Sequence, residues 1–389
     1  MKFIHTSDWQ LGMTRWFLTG EDGDSQARFS AARLAAIDRI GEVAFAEDAD
    51  FIVVAGDVFD SNTLPARDVG RAMERLRSLP VPVYLLPGNH DAYDASSIYR
   101  RDPFPQSSTS GDGASLVVLK PGENVVTHKS GRGTVEIVGI PLTSKVGDPR
   151  DFEETLADLQ PIDYPRIVVA HGQVEGFGGD AGASLSLEAA EKAISDGLVQ
   201  YIAVGDSHST RQLDSRGYMW FSGAHETTDY DDVESDSGNV LVVEIDGTSA
   251  PVVAKHKVGE WEFQAHTRDF ADFAEVEEWL EQLELLPNKD RTSIKYSLFG
   301  TVTLAQKADF DRRLAALAPV FAAVYKRGSG SDLTVRPEDG DIAAMGVSGF
   351  ALAAAEELQQ ISDNPDLSAA DRTAAVDALG LLARIVGGN

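Results

Sequence analysis

The chain has 389 residues, 43% of them hydrophobic, enough for two or three cores, and no apolar run in it is long enough to span a bilayer. It contains no cysteine, which excludes disulfides, thiolate metal sites and thiol nucleophiles. Against 62 acidic residues there are only 34 basic ones, a net charge of −28, and the nearest thing to a basic footprint is Arg71, Arg75 and Arg77 on one helix, so tight, autonomous, non-specific binding to DNA is not expected.

Met1-Lys2-Phe3-Ile4-His5 enters a strand directly and lacks the apolar region of a signal peptide, which makes the cytoplasm the expected location. Lys2–Thr6 reads as the first strand and Ser7-Asp8-Trp9-Gln10-Leu11-Gly12 as the loop after it. Leu34, Ile37, Ile40 and Ala44 recur at helical spacing within 25–47. Phe51–Ala55 is a buried strand ending in Gly56-Asp57-Val58-Phe59-Asp60. Pro65 opens a helix to Ser78, and the strand Val81–Leu86 runs into Pro87-Gly88-Asn89-His90-Asp91. Strand, helix, strand, helix, strand implies parallel strands with right-handed crossovers.

Residues 101–115 have loop composition, and Leu116–Leu119, Val125–His128 and Thr134–Ile140 alternate like antiparallel strands. A helix near Asp151–Leu159 leads to the strand Arg166–Ala170 and His171-Gly172. Gly-rich residues 173–184 read as a loop over the site, and a helix from Ser186 to Ile194 precedes Tyr201–Val204 and Gly205-Asp206-Ser207-His208. Strands Tyr218–Ser222 and Asn239–Ile245 follow. Beyond residue 258 the pattern becomes strand, helix, strand, helix (262–268, 272–286, 294–303, 304–322), a small α+β module. Residues 328–344 read as a linker, and helices near 348–361 and 368–386 close the chain, with Ser368 as an N-cap. Val376, Leu379, Leu382 and Ile385 form an apolar stripe that either packs on the module or docks a partner.

Asp8, Gln10, Asp57, Asn89, His90, His171, Asp206 and His208 all follow apolar strand runs, and in a layered sheet such strand ends gather at one edge. Three carboxylates, two amides and three imidazoles suit two divalent ions, and mostly oxygen donors favour Mn²⁺ or Mg²⁺ over structural zinc. Two such ions support phosphoester hydrolysis, with His90 protonating the leaving oxygen and Asp91 orienting its imidazole. Asp60 reads as a turn carboxylate, His5 as a core histidine, His225 as either a substrate contact or a loop brace, and Trp9 and Trp16 as packing residues.

Asp8-Trp9-Gln10, Gly56-Asp57-Val58-Phe59-Asp60, Gly88-Asn89-His90-Asp91, His171-Gly172 and Gly205-Asp206-Ser207-His208, in that order, resemble the calcineurin-like metallophosphoesterase superfamily. His5–Gly12, Ala55–Asp60 and Phe221-Ser222-Gly223 are most similar to bacterial DNA-repair exonucleases of the SbcD type. The resemblance implies a four-layer α/β/β/α sandwich over 1–258, a capping module over 259–327, and a linker with two C-terminal helices over 328–389. It implies that Asp57 bridges two metals, that Asp8, Gln10 and His208 hold the first, that Asn89, His171 and Asp206 hold the second, and that His90 is catalytic. Most relatives have His at the positions of Gln10 and Asp206. The implied activity is a Mn²⁺-dependent DNA exonuclease, a homodimer beside an SbcC-like coiled-coil ATPase. A phosphodiesterase or pyrophosphatase on small nucleotides, or a scaffold with a weakened metal site, stands as the alternative.

Overall fold

The computed structural model describes residues 1–20, 24–105, 116–177, 184–247, 249–328, 332–335, 342 and 347–387. The chain divides into two compact units, Met1–Glu262 and Phe263–Asn389.

The first unit is built on two six-stranded sheets. In one, β1 (Lys2–Thr6), β2 (Phe51–Val54), β3 (Val83–Leu85) and β4 (Leu116–Val118) run parallel, and β13 (Asn239–Glu244) and β14 (Val252–Lys257) add antiparallel beyond β1. The other has the order β11 (Arg211–Gln212), β12 (Met219–Phe221), β10 (Tyr201–Gly205), β7 (Arg166–His171), β6 (Gly133–Gly139), β5 (Val125–Ser130). Successive side chains on each strand point to opposite faces, so each strand feeds two cores. Phe3, Phe51, Val53, Ile167, Val169, Tyr201 and Ala203 fill the layer between the sheets. Ile4, Ile52 and Val54 face the other way, onto helices α1 (Asp24–Ala46) and α2 (Ala66–Ser78). Val168, Ala170, Ile202 and Val204 meet α3 (Pro149–Asp158) and α4 (Leu187–Ser195). This is the four-layer α/β/β/α sandwich. His5 lies in the inter-sheet layer, its Nδ1 3.0 Å from the Tyr201 hydroxyl.

Leu116–Val118 departs from the antiparallel expectation: it pairs parallel with β3, because it arrives after a crossover and three residues are too few for alternation to reveal direction. The β5–β6 hairpin is antiparallel as expected. Of the Gly-rich stretch, Gln173–Val174 and Ser184–Leu185 form a short parallel pair, and 178–183 lie outside the described residues.

In the second unit, β15 (Glu262–Asp269), β16 (Thr292–Val302), β17 (Ala323–Lys326) and β18 (Asp332–Val335) form one sheet with helices α5 (Phe273–Leu285) and α6 (Leu304–Leu317) packed on it. Thr303 and Gln306 make a reciprocal capping box at the start of α6. The expected linker therefore contains a strand: Leu-Thr-Val is β-prone, and its Gly/Pro/Asp flanks mask it in the sequence. Most of the remainder of 328–344 lies outside the described residues. Helices Phe350–Asp363 and Ala369–Gly387 end the chain, the latter capped by Ser368 Oγ accepting from the Asp371 amide. The apolar stripe divides: Leu379 is buried with Leu304 and Ala355, while Ile385 is exposed. No helix among the described residues is long and apolar enough to cross a membrane.

Candidate metal centre

Because β1, β2 and β3 are parallel neighbours, and β7 and β10 likewise, five loops leave the two sheets at one edge. Main-chain bonds tie them together. The Asp8 amide donates to the Gly56 carbonyl (3.1 Å) and the Gln10 amide to the Asp57 carbonyl (2.8 Å), while the Asp206 amide donates to the Asp8 carboxylate (3.2 Å). Six non-glycine residues have positive φ among the described residues, and four are Asp8 (53°), Gln10 (39°), Asp57 (54°) and Asp206 (98°). Such backbone costs energy and clusters where side chains must be aimed. Gly56 (φ 91°) and Gly88 make room for the site. A Cβ on the first would sit 2.1 Å from His171 Nδ1, and one on the second 2.2 Å from Asp57 Oδ1.

Asp8, Asp57 and His171 are buried and each offers a ligand atom within 4.8 Å of the others'. His171 Nε2 is 3.1 Å from Asn89 Oδ1, 3.4 Å from Asp57 Oδ1 and 3.7 Å from Asp206 Oδ1. Gln10 Nε2 is 3.0 Å from His208 Nε2. The three imidazoles share one arrangement. His171 Nδ1–H donates to the Ala55 carbonyl (2.7 Å), His90 Nδ1–H to the Asp60 carbonyl (3.0 Å), and His208 Nδ1–H to Thr228 Oγ1 (2.5 Å). Since a carbonyl only accepts, the first two tautomers are fixed, and Nε2 is the atom left for chemistry. Metal-ligating histidines are held in this way.

The family description "Calcineurin-like phosphoesterase" matches residues 1–210, more than half of the chain. The chain belongs to the calcineurin-like phosphoesterase family. Among curated proteins, this phosphoesterase is 28% identical over 191 residues to the DNA double-strand break repair protein Mre11 of Methanococcus maripaludis, covering 46% of this chain and 45% of that one. It is 25% identical over 272 residues to Mre11 of Aeropyrum pernix (66% and 61%) and 33% identical over 186 residues to Mre11 of Archaeoglobus fulgidus (45% and 39%). The matches thus span 39% to 61% of these relatives' length. Of solved structures, a dimetal phosphatase from Danio rerio aligns with TM-score 0.40 at 11% identity, over 66% of this chain and 96% of that one. A purple acid phosphatase from yellow lupin (Lupinus luteus) seeds aligns with TM-score 0.39 at 14% identity, over 66% and 51%.

Burial, with the Asp57 charge as a smaller contribution, pushes the Asp8 carboxyl up to about 6, against the lowering pull of His171 and His208. Burial also pushes Asp57 up, but the neighbouring His171 and His90 overcome it and hold it below the usual carboxylate range. His171 is pushed down by burial, and Asp57, Asp8 and Asp206 raise it well above an ordinary imidazole. Buried carboxylates crowded together in this phosphoesterase are stable only if neutral, paired or coordinating. Gln10 Oε1 is buried with no hydrogen-bond partner, and the ligand atoms gathered at this edge are carboxylate and amide oxygens and imidazole nitrogens. That set fits a hard or borderline divalent cation.

Three residues that support the site carry little sequence signal. Arg33 is buried and donates to the carbonyls of Trp9 (2.7 Å) and Thr227 (3.1 Å), clamping the loop of Asp8 to the one that carries Thr228. The Thr228 hydroxyl in turn donates to Glu234, whose carboxylate also accepts the Thr228 and Asp229 amides. Arg33 was discoverable, since Phe29, Arg33, Ile37 and Ile40 share the inward stripe of α1. Glu234 sits in an acidic run that offers no clue.

Asp91 does not orient His90. Its carboxylate accepts from the Gly88 amide (2.7 Å), the Phe59 amide (3.0 Å) and the Tyr99 hydroxyl (2.5 Å), because the turn folds it inward beneath the loop, and the His90 ring is held by Asp60 instead. Burial, then the Asp57 charge, pushes Asp91 up to about 6. Asp60 lends its carbonyl, with its carboxylate 4.0 Å from His90. His225 is fully buried and donates from Nε2 to the Arg33 carbonyl (2.8 Å), which makes it a loop brace. Trp9 packs in the core, but Trp16 is 72% exposed, contrary to a packing role.

Proposed function

We propose that this protein is a metal-dependent phosphodiesterase acting on DNA. The observation that carries the reading is the convergence of Asp8, Asp57 and His171, with the three imidazoles turned Nε2-inward beside them. Asp8, Gln10 and His208 would hold one divalent cation, and Asn89, His171 and Asp206 a second, with Asp57 shared; Mn²⁺ or Mg²⁺ suits the oxygen-rich set. When bound, such ions polarise the phosphoryl group and make water a better nucleophile.

The chain's own residues orient and move the proton. The water's oxygen forms the new bond to phosphorus, the P–O bond to the leaving alcohol breaks, and that oxygen takes a proton. In its imidazolium form His90 would supply it from Nε2, since its Nδ1–H is committed to Asp60, its side chain is 43% exposed and its Nε2 lies 4.0 Å from Asp57 Oδ2; the proton shed by the attacking water balances the one given up. Its backbone amide donates to Asp57 Oδ1 at 2.9 Å, so the turn that carries the acid also aims the shared carboxylate.

DNA as substrate is supported by the Mre11 relatives, and an exonuclease role alongside a coiled-coil ATPase by the resemblance to SbcD-type enzymes. A charge of −28 favours a subunit whose grip on DNA comes partly from such a partner or from a second copy. The test is purified protein with Mn²⁺ on labelled duplex DNA, single-stranded DNA and bis-p-nitrophenyl phosphate, with and without a candidate ATPase. Cleavage of DNA supports the reading, and cleavage of the small ester alone overturns it.

A further inference from the structure

A cleft of about 290 Å³ opens at the candidate metal edge. Asn89, His171 and Asp206 form its inner end, and none of Asp8, Gln10 or His208 lines it. Its floor is apolar and buried: Ile140, Phe152, Ala170 and Leu185. Gln173, whose amide nitrogen donates to Asp206, brings an amide to the same wall. The mouth carries Lys145 with Asp148 and Asp151, and Asp148 is paired with Arg150 (2.7 Å).

Each property constrains the occupant. The volume sits near the ~300 Å³ lower end of small-molecule sites, room for one ring system and its sugar rather than two. The apolar floor favours a flat, weakly solvated group with polar edges. One lysine against two carboxylates provides no cationic cradle, so further phosphates are disfavoured there.

We infer that this cleft seats a single uncharged nucleoside of the substrate, unstacked from its neighbours, on the Asn89–His171–Asp206 side of the scissile phosphate. The inference rests on the phosphodiesterase reading of that edge. It narrows the substrate to a nucleotide phosphodiester with a terminal or unpaired base and disfavours a polyphosphate chain.

Val146 lines the cleft and is exposed, so Val146→Trp can obstruct it without disturbing a core, and Leu142→Trp, at a half-buried lining position, obstructs it at a second point. Two measurements test the assignment. The first is calorimetric binding of deoxyadenosine, with inorganic phosphate as the comparison, to metal-free protein. The second is the Mn²⁺-supported kcat/KM for thymidine 5′-(p-nitrophenyl phosphate) relative to methyl p-nitrophenyl phosphate. Deoxyadenosine binding lost in both variants, and a preference for the nucleoside ester of about tenfold or more that falls towards one, support the cleft. Equal turnover of the two esters without nucleoside binding overturns the cleft and leaves the phosphodiesterase reading standing. Nucleoside binding that both variants abolish, with neither ester cleaved, supports the cleft and removes the phosphodiesterase reading.

Discussion

Gln10 Nε2 lies 3.0 Å from Nε2 of His208, a residue 198 positions further along the chain. Thr228 takes the proton on His208 Nδ1, so the Gln10 amide nitrogen donates and its buried Oε1 is left without a donor. An amide oxygen in that position is a neutral, weak ligand. Replacing it by imidazole, Gln10→His, is expected to raise affinity for the cation beside Asp8 about tenfold, roughly 1.4 kcal/mol. Calorimetric titration with Mn²⁺ checks this, and an unchanged isotherm would show that Gln10 holds no metal.

Asp57 and His90 are separable by experiment. Asp57→Asn keeps the shape and the acceptor for the His90 amide, so the fold should persist while metal-dependent hydrolysis is lost. His90→Ala should cut turnover by about 10²- to 10⁴-fold, the scale of a general acid, while metal stoichiometry stays the same. Loss of bound metal from the His90 variant would refute its assignment.

Arg33 is a buried cation whose donors all end on carbonyls of the loops that carry Asp8 and Thr228. Burial lowers it to about 10, and Glu226 and Glu234 sustain its charge. Arg33→Met leaves the buried carbonyls of Trp9 and Thr227 without their donor, which should cost about 1–3 kcal/mol of stability for each group left unsatisfied. Urea unfolding measures this, and a loss below about 1 kcal/mol would contradict the clamp.

His5 gives a pH signature away from the metal edge. Burial lowers it from 6.5 to about 3, so the native ring is neutral while the unfolded ring takes a proton as pH falls below 6.5. The unfolded state then binds more protons, and stability declines between about pH 6.5 and 3, by at most about 1.4 kcal/mol per pH unit. His5→Asn retains a partner for Tyr201 and removes the titration, so the decline over that window should be shallower than in the parent. Parallel slopes in urea unfolding at stepped pH would contradict it.

The architecture and the gathering of strand ends were legible because buried parallel strands read as short apolar runs, and each here ends in a polar cluster: Thr6 before Asp8, Val54 before Asp57, Val204 before Asp206. What supports those residues was not legible. The positive φ of Asp8 and Asp57 follows from loop closure, and the fixing of His171 by Ala55 depends on a carbonyl, which any residue supplies. Asp91 shows the limit: adjacency to His90 suggested a partnership, but the turn sends the two side chains opposite ways. The strand at Asp332–Val335 was hidden by its Gly- and Pro-rich flanks.

Anomalous diffraction from crystals soaked in Mn²⁺ is the most direct test of the proposed centre. Two peaks are expected on either side of Asp57, one touching Asp8, Gln10 and His208, the other Asn89, His171 and Asp206. No peak along this edge, or manganese bound only elsewhere, would contradict it.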